Sequence, residues 1–262
     1  MNEKFFKLGK NCLRLVTSEI ESASFLGGKP LVSSSINWPR KNDKPLGFIA
    51  QLDLSEINNE QAIEWLPNSG RLLFFYDFYE WPWGFAPEDR GGWAILYENG
   101  SEELHFQELP SDLHKEHIAS SIKYVVSEKF MSYPDGQRIN FEEGELSEID
   151  KEQYYDFIDE YYRNKTLHQI GGYPRPIQND DMEKECQLIS SGINYAYPED
   201  YNSEEAKQLR EQVNDWRLVF QFDSDDDIDV MWGDMGMLYF WVKESESKNC
   251  NFSNSWMILQ CC

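Results

Sequence analysis

Thiol chemistry is scarce in this sequence. Its 262 residues include five cysteines, an odd number, and no two of them form a Cys-x-x-Cys pair. This pattern is typical of reduced thiols in a cytosol and argues against a disulfide-stapled scaffold. The five are Cys12, Cys186, Cys250, Cys261 and Cys262. We therefore expect a cytoplasmic protein without structural disulfides.

Long apolar runs are missing as well. No stretch of the sequence approaches the roughly 20 consecutive apolar residues of a membrane-spanning helix. The first residues also lack the apolar region that a secretory signal peptide needs. These two absences favour a soluble protein that is not embedded in a membrane.

Positive charge is in deficit. The chain has 24 Lys and Arg against 47 Asp and Glu, which gives a formal net charge of −23. Such a surface repels the phosphates of nucleic acids and of anionic lipids, so we expect neither partner. It attracts basic proteins, although solubility alone is the plainer explanation of such a charge. The expected partner is therefore a basic protein.

Familiar catalytic motifs are absent too. The sequence contains no nucleophile elbow, no phosphate-binding P-loop, no kinase motif set and no dinucleotide-binding fingerprint. Neither Cys12 nor Cys186 has a histidine close to it in the chain. We expect no cofactor, while catalysis by residues assembled from distant positions stays open.

What the sequence does contain is a globular composition, with 40% apolar and 15% aromatic residues. Strand patterns cover 12–20, 45–54, 69–78, 93–97, 103–108, 216–223, 236–243 and 255–261. Helical patterns cover 58–66, 111–122, 147–164, 179–190 and 203–213. Asn99-Gly100 predicts a hairpin between the fourth and fifth of these strands.

One unusual glycine- and proline-containing motif occurs twice. Gly-Gly-x-Pro stands at 27–30 and again at 171–174. Gln-x-Asp follows at 51–53 and 221–223, and Gly-x-Leu-x-Phe follows at 70–74 and 236–240. Glycine adopts backbone angles that other residues avoid, and proline then fixes φ, so each motif predicts a turn that leads into a strand pair. The ordered recurrence predicts an internal duplication, with chance recurrence of short patterns as the alternative.

These patterns together predict one domain over 1–262 of the α+β class. Its sheet should be largely antiparallel and built from two fused, pseudo-symmetric halves with peripheral helices. The pseudo-repeats cover about 24–80 and 168–245. In such an arrangement Gln51 and Gln221 occupy equivalent places, as do Gly70 and Gly236.

The same segments resemble a known family. The residues "NWPRKNDKPLGFIAQLDL" (37–54), "LPNSGRLLFFYD" (66–77), "HQIGGYP" (168–174) and "WGDMGMLYFWV" (232–242) are similar to those of the YwqG-like family of bacterial proteins. The resemblance covers roughly 12 to 262. It implies a shared fold, but this family has no assigned reaction, so it carries over no catalytic residues.

Aspartates at alternate positions make the best metal candidate. They match positions 1, 3, 5, 7 and 12 of a calcium-binding EF-hand loop, and calcium prefers oxygen ligands. They are Asp223, Asp225, Asp227, Asp229 and Asp234. Position 6 of that loop needs glycine, but here it is Ile228, and the flanking patterns predict strands. A solvated hairpin loop is therefore the preferred interpretation.

Histidines supply two weaker candidates. His114 and His117 stand three residues apart on a predicted helix, where they would present two zinc ligands, but a third ligand is missing. His168 precedes the second Gly-Gly turn and is a candidate acid–base or binding residue. Its plainer role is a hydrogen bond to a backbone carbonyl there.

An aromatic segment broken by proline and glycine spans 80–93. It is either a lid folded on the core or an exposed set of anchors for a ligand or protein. Its candidate binding residues are Trp81, Trp83, Phe85 and Arg90. We expect a non-enzymatic binding protein that recognises a basic partner. The alternative is a hydrolase or other small-molecule enzyme that uses a cleft between the halves.

Overall fold

The computed structural model describes residues 3–59, 61–100, 103–113, 122–139, 146–194 and 197–262. Its strands are β1 (Lys10–Ser18), β2 (Phe25–Leu26), β3 (Leu31–Val32), β4 (Arg40–Lys41), β5 (Lys44–Pro45), β6 (Gly47–Asp53), β7 (Arg71–Tyr76), β8 (Trp93–Glu98), β9 (His105–Phe106), β10 (Lys123–Ser132), β11 (Gln169–Ile170), β12 (Trp216–Asp223), β13 (Met237–Lys243) and β14 (Trp256–Gln260). Its α-helices are α1 (Glu3–Phe6), α2 (Leu54–Ile57), α3 (Glu148–Tyr162), α4 (Met182–Ser190), α5 (Pro198–Tyr201), α6 (Glu204–Arg210) and α7 (Glu244–Ser247).

Ten of the strands form one sheet in the order β14-β13-β12-β11-β1-β10-β2-β6-β7-β8. Every neighbouring pair is antiparallel. The central pair, β1 and β10, extends from Lys10 opposite Ser132 to Ser18 opposite Tyr124. Four strands lie on each side of it, which we call the first flank (β2, β6, β7, β8) and the second flank (β11, β12, β13, β14). The expected large antiparallel sheet with several helices is confirmed.

Both faces of β6 and β7 are buried, which explains why most of their residues are apolar or aromatic. In β7, Phe74 and Tyr76 face the main core, whereas Leu73 and Phe75 face a smaller core. Because side chains alternate along a strand, each face needs its own apolar cover. Trp38, from the chain before β4, packs on the smaller core with its ring 5.2 Å from that of Phe75.

The main core lies between the two flanks. The ring of Phe74 on β7 lies 5.0 Å from that of Phe220 on β12 and 5.3 Å from that of Phe240 on β13. These three rings belong to strands far apart in the order of the sheet. The sheet therefore curls until its flanks face each other, and it is nearly closed.

The segment 81–93 joins the two edges of the curled sheet. Leu259 N on β14 donates a hydrogen bond to Trp83 O (3.0 Å), and Trp256 Nε1 donates one to Gly84 O (2.8 Å). The Trp93 ring, at the start of β8, lies 4.8 Å from the ring of Trp256. The aromatic segment therefore covers the free edge of β14 and links it to β8.

Serine side chains cap two of the helices. Ser147 begins α3 with a capping box in which its side chain and that of Asp150 each bond the other's backbone N–H. Ser203 caps α6 by accepting from Ala206 N. The helices predicted over 147–164, 179–190 and 203–213 are confirmed as α3, α4 and α6.

The predicted helix over 58–66 is wrong. Helix α2 ends at Ile57, and the described residues that follow form turns. The buried Asn58 side chain donates to Ile63 O and Leu66 O and accepts from Ile63 N. A side chain that bonds nearby backbone groups in this way competes with helical hydrogen bonds and favours a turn.

The hairpin predicted at Asn99-Gly100 is also wrong. Strand β9 pairs with β3, with Phe106 opposite Leu31, and not with β8. At the end of β8 the Glu98 carboxylate accepts hydrogen bonds from Arg71 and from Ser33 N, so it joins β8 to β7 and to the chain after β3. The helix predicted over 111–122 falls mostly on 114–121, outside the described residues.

Two buried glutamines make the same contacts in the two flanks. Gln51 Oε1 accepts from Leu31 N (2.9 Å), and Gln221 Oε1 accepts from Arg175 N (2.8 Å). Leu31 and Arg175 each follow the proline of a Gly-Gly-x-Pro motif. The Nε2 groups donate to Ala23 O and Leu167 O, respectively. Each acceptor lies four residues before the first glycine of its motif.

The strand pairs of the two flanks also share an irregularity. The register of β6 on β7 shifts between Phe48 and Ala50, and that of β12 on β13 shifts between Leu218 and Phe220. Each shift begins three residues before the buried glutamine of its strand. Just beyond β6 and β7, Leu54 N donates a hydrogen bond to Gly70 O. Just beyond β12 and β13, Ser224 N donates one to Gly236 O.

Candidate functional site

His168 is buried, with 1% of its surface exposed, and both ring nitrogens are occupied. Its Nδ1 accepts from Asp223 N (3.2 Å), and its Nε2 lies 3.1 Å from Asp225 Oδ2, to which it donates in the neutral tautomer. The ring packs edge-on against Phe222. A fully bonded, buried imidazole holds its surroundings in place, so the plainer structural role fits. Its backbone partner is an amide and not the carbonyl that the sequence suggested.

Ser24 makes the corresponding hydrogen bond beside the first flank. Ser24 Oγ accepts from Asp53 N (2.9 Å), as His168 Nδ1 accepts from Asp223 N. Ser24 and His168 each lie three residues before the first glycine of their motifs. Because a hydroxyl suffices at one of the two places, the contact needs a hydrogen-bond acceptor and not the acid–base chemistry of an imidazole.

The first two of the alternate aspartates form hydrogen bonds with groups of their own chain. Asp223 accepts from Leu167 N (2.8 Å), and burial raises the pKa of its carboxyl. The hydrogen bond from His168 lowers the pKa of Asp225, whose other oxygen accepts from Asp227 N. Within the described ranges no group of three or more His, Cys, Asp or Glu side chains could hold a metal ion. His114 and His117 lie outside those ranges.

The aromatic segment divides into packed and exposed members. The Trp81 ring lies 5.8 Å from that of Tyr76 and 6.3 Å from that of Trp232, so it acts as a lid on the main core. Phe85 is partly buried against the same core. Trp83 is 44% exposed, although its carbonyl bonds β14. Trp83 is therefore the most exposed of these three aromatic side chains.

Arg90 closes the segment by contacts within the chain. Its guanidinium carbon lies 4.9 Å above the Trp256 ring, and Nη2 donates to Ser190 O (2.8 Å). The first contact is a cation–π interaction, so the position of the Arg90 side chain is explained without a bound carboxylate. The side chain thus connects the segment to β14 and to the end of α4.

The buried thiols are poor nucleophiles. Burial raises the pKa of Cys12 to about 12, and it raises the pKa of Cys186 well above its usual value. Only the thiolate attacks electrophiles and binds metals effectively. Neither cysteine therefore offers a reactive centre at neutral pH.

The free edge of β8 is a feature that the sequence did not reveal. Asp77 N donates to Gly92 O just beyond the pair of Tyr76 and Trp93, which makes that pair non-hydrogen-bonded. Alternate residues of β8 therefore point their N–H and C=O groups away from β7. These residues are Trp93, Ile95 and Tyr97. In the part of the chain that the structure describes, no backbone hydrogen bond reaches those groups.

A groove of about 740 Å³ runs along this edge. Its lining comes from residues 34–37, from Arg90 and the strand itself, and from residues 250–255. Many of these side chains carry hydroxyl or amide groups. We call this feature the edge groove. The run "WAILY" predicted the strand, but its place at the end of the sheet depends on pairings that a local pattern does not record.

A second, larger cleft of about 940 Å³ lies on the second flank, near the N-terminal helix α1. Its cations are Lys4, Lys7, Lys10, Arg138, Lys184 and Arg217, and its carboxylates are Asp180, Asp181 and Glu183. We call it the cationic cleft. Six of the chain's 24 Lys and Arg thus line one cleft of a protein whose net charge is −23.

Comparison with known proteins gives one positive result. A family model described as a domain of unknown function (DUF1963) matches residues 24–261, which is most of the chain. The comparison with curated proteins found no match. Among the residues that the structure describes, no helix is both long and apolar enough to cross a membrane.

Proposed function

Since the chain belongs to the family of domains of unknown function DUF1963, whose description carries no reaction, we propose a function from the geometry. The protein binds an extended, basic segment of a partner protein along the edge of β8. The observation that carries this proposal is the row of outward N–H and C=O groups at Trp93, Ile95 and Tyr97, which lies in the edge groove.

The opposite edge of the sheet supports this use of β8. Tyr97 pairs with Leu72, and Leu259 pairs with Leu238. Leu72 and Leu238 are the leucines of the two Gly-x-Leu-x-Phe motifs, so Tyr97 and Leu259 hold the same register in the two flanks. Leu259 N is bonded by the carbonyl of Trp83. Uncovered sheet edges recruit further strands, and natural proteins usually cover them. β8 therefore presents a pairing position of the kind that β14 fills with a segment of its own chain.

Main-chain pairing would provide affinity without strict sequence demands, as in other cases of strand addition. The charge of the protein selects among such segments. A net charge of −23 attracts a cationic peptide and repels an acidic one. Within the edge groove Arg90 and Glu98 are already engaged by Trp256 and Arg71, so the long-range field is the main electrostatic contribution.

Trp83 is the anchor that we propose outside the groove. It is 44% exposed and belongs to the same segment as the start of β8. Large aromatic side chains often provide most of the affinity at an interface. Trp83→Ala should therefore speed dissociation of the partner and leave folding intact. Trp81→Ala should mainly destabilise the fold, because Trp81 packs on the core.

Amide hydrogen exchange tests the proposal with a ten-residue peptide of alternating Lys and Val. The amides of Ile95 and Tyr97 should become protected when this peptide binds, because they gain hydrogen bonds. The amides of Ala94 and Leu96 serve as internal controls, since they already bond β7 and should change little.

Two further peptides complete the test. The matching Glu–Val peptide should not bind, because its charge has the wrong sign. A Lys–Val peptide with alternate backbone nitrogens methylated should lose binding, because it lacks the donors for strand pairing. Equal binding of all three peptides, or binding of the Lys–Val peptide without protection of Ile95 and Tyr97, would refute the proposal.

We propose, in addition, that the two flanks descend from one duplicated unit. The shared contacts of Gln51 and Gln221, the matching bulges and the paired roles of Ser24 and His168 support this origin. In this proposal the first strands have exchanged flanks. β1 precedes the first flank in the chain but pairs with β11, and β10 precedes the second flank but pairs with β2.

A further inference from the structure

We propose that the cationic cleft binds a small amphipathic anion, a molecule with a phosphate or carboxylate head and an apolar body. This site is separate from the edge groove and takes a ligand of opposite charge. It lies where α1 and β1 meet the second flank, and its volume of about 940 Å³ lies within the usual range for small-molecule sites.

Two lysines provide the charge for the head group. No ion pair within the described ranges joins Lys7 or Lys10 to a carboxylate, and both side chains are exposed. Lys10 Nζ lies 4.0 Å from the centre of the Tyr173 ring, an attraction that leaves its hydrogen-bond donors open to an anion. Lys184 adds little positive potential, because the Asp181 carboxylate lies 2.7 Å from its ammonium group and offsets its charge.

The wall around these lysines is held rigidly. Arg138 bonds Asp180 through Nε (2.5 Å) and Glu183 through Nη1 (2.8 Å), and further bonds from Nη2 complete two fork-like pairs. Bidentate pairs of this kind fix the guanidinium geometry. The same guanidinium carbon lies 5.7 Å from the Tyr173 ring centre. Arg138 therefore shapes the cleft, and Lys7 and Lys10 remain the proposed contacts of the ligand.

The remaining lining favours an apolar body behind the charged head. Leu8, Pro134, Ile139, Leu146 and Val213 lie in the same cleft. Trp216 is 3% exposed and its indole N–H bonds Gln187, so it closes the cleft without offering a free ring face. A polyanion such as a nucleic acid would extend beyond the cleft into the field of the acidic surface. The combination selects a small anion.

Titration calorimetry with three six-carbon probes tests this inference. Hexyl phosphate and hexanoate share the apolar body and differ in the anionic head, and hexan-1-ol has no charge. We expect at least one of the anions to bind with a Kd of about 1 mM or tighter, and the alcohol not to bind measurably. The tighter of the two anions identifies the head group.

Variants locate the binding within the cleft. The double variant Lys7→Gln/Lys10→Gln should weaken the anion by about tenfold or more, because each lysine provides a point charge. The control is Lys29→Gln/Lys44→Gln, which removes the same charge at two positions outside the cleft, where Lys44 also lies over an aromatic ring. The inference fails if neither anion binds, if the alcohol binds equally, or if the two double variants behave alike. Unchanged circular dichroism excludes unfolding as the cause.

Discussion

At the scale of single residues, burial changes the ionisation of the Glu185 carboxyl on α4. It is 1% exposed, and neither carboxylate oxygen has a hydrogen-bond partner in the part of the chain described. Burial raises the pKa of this carboxyl from 4.5 to about 7. A charged carboxylate is costly in a low-dielectric interior, so the group keeps its proton up to about pH 7, although the nearby Asn179 side chain offsets part of this effect.

This raised pKa predicts how stability depends on pH. Between pH 4.5 and about 7 the folded chain keeps a proton that the unfolded chain releases, so this group lowers the free energy of unfolding as pH rises through that window. Glu185→Gln replaces the titrating carboxyl and so removes this loss of stability. We expect the variant to be more stable than the parent at pH 8 by up to about 3 kcal/mol, and to differ little at pH 4.

Urea unfolding at both pH values measures this difference. The control is Glu205→Gln, since Glu205 is exposed on α6 and its substitution should change little at either pH. The prediction is contradicted if Glu185→Gln and Glu205→Gln show the same pH dependence as the parent.

At the scale of the elements, the segment that covers β14 depends on close approach of its backbone. Gly84 has φ of 81°, and a Cβ at this position would overlap the carbonyl oxygen of Met257. Gly91 has φ of 86°, but nothing lies within 4 Å of its would-be Cβ. The two glycines therefore separate backbone strain from steric conflict.

Alanine at these two positions should have unequal effects. Gly91→Ala should cost about 1–2 kcal/mol, because a residue with a Cβ is strained at positive φ. Gly84→Ala should cost at least about 2 kcal/mol more, since it also pushes the segment away from β14. Thermal and urea unfolding give the comparison. Equal losses would mean that the close approach to β14 contributes little to stability.

The buried glutamines allow a stability test of the proposed equivalence of the two flanks. Gln51→Ala and Gln221→Ala each leave one backbone N–H and one C=O without their partner. Each such group costs about 1–3 kcal/mol. We expect the two variants to lose the same stability within about 1 kcal/mol. A control, Gln208→Ala, alters an exposed residue of α6 and should be neutral. Losses that differ by several kcal/mol would contradict the equivalence.

At the scale of the whole molecule, charge should control the rate of encounter. For the Lys–Val peptide, the association rate should fall steeply between about 0.02 and 0.3 M salt, because the screening length is about 10 Å at 0.1 M. The dissociation rate should change little, since it depends on short-range contacts. Stopped-flow mixing measures both rates. An association rate that ignores salt would remove the electrostatic part of the proposal.

Some elements follow from the sequence because their causes are local. The strands at 45–54, 69–78 and 216–223 are rich in apolar and aromatic residues, and Ser147 caps the start of α3. The long strand β10 (Lys123–Ser132) was not predicted. Its pattern mixes Lys, Glu and Ser with apolar residues, and it is a strand because β1 and β2 pair with it from both sides.

The candidate sites divide along the same line. The sequence alone determined which chemistry is present: an acidic chain, an aromatic segment at 80–93, a doubled Gly-Gly-x-Pro turn and a histidine beside it. The tertiary structure decided which of these side chains are engaged within the fold, since both ring nitrogens of His168 are hydrogen-bonded and Trp81 packs on the main core.

The two proposed sites belong entirely to the tertiary level. The cationic cleft joins Lys7, Arg138 and Arg217, and the central strands join Lys10 to Ser132. Hydropathy and turn motifs act over a few residues, so they determine local structure. Strand pairing and cleft formation act between residues more than a hundred positions apart, and no local pattern records which partners will meet.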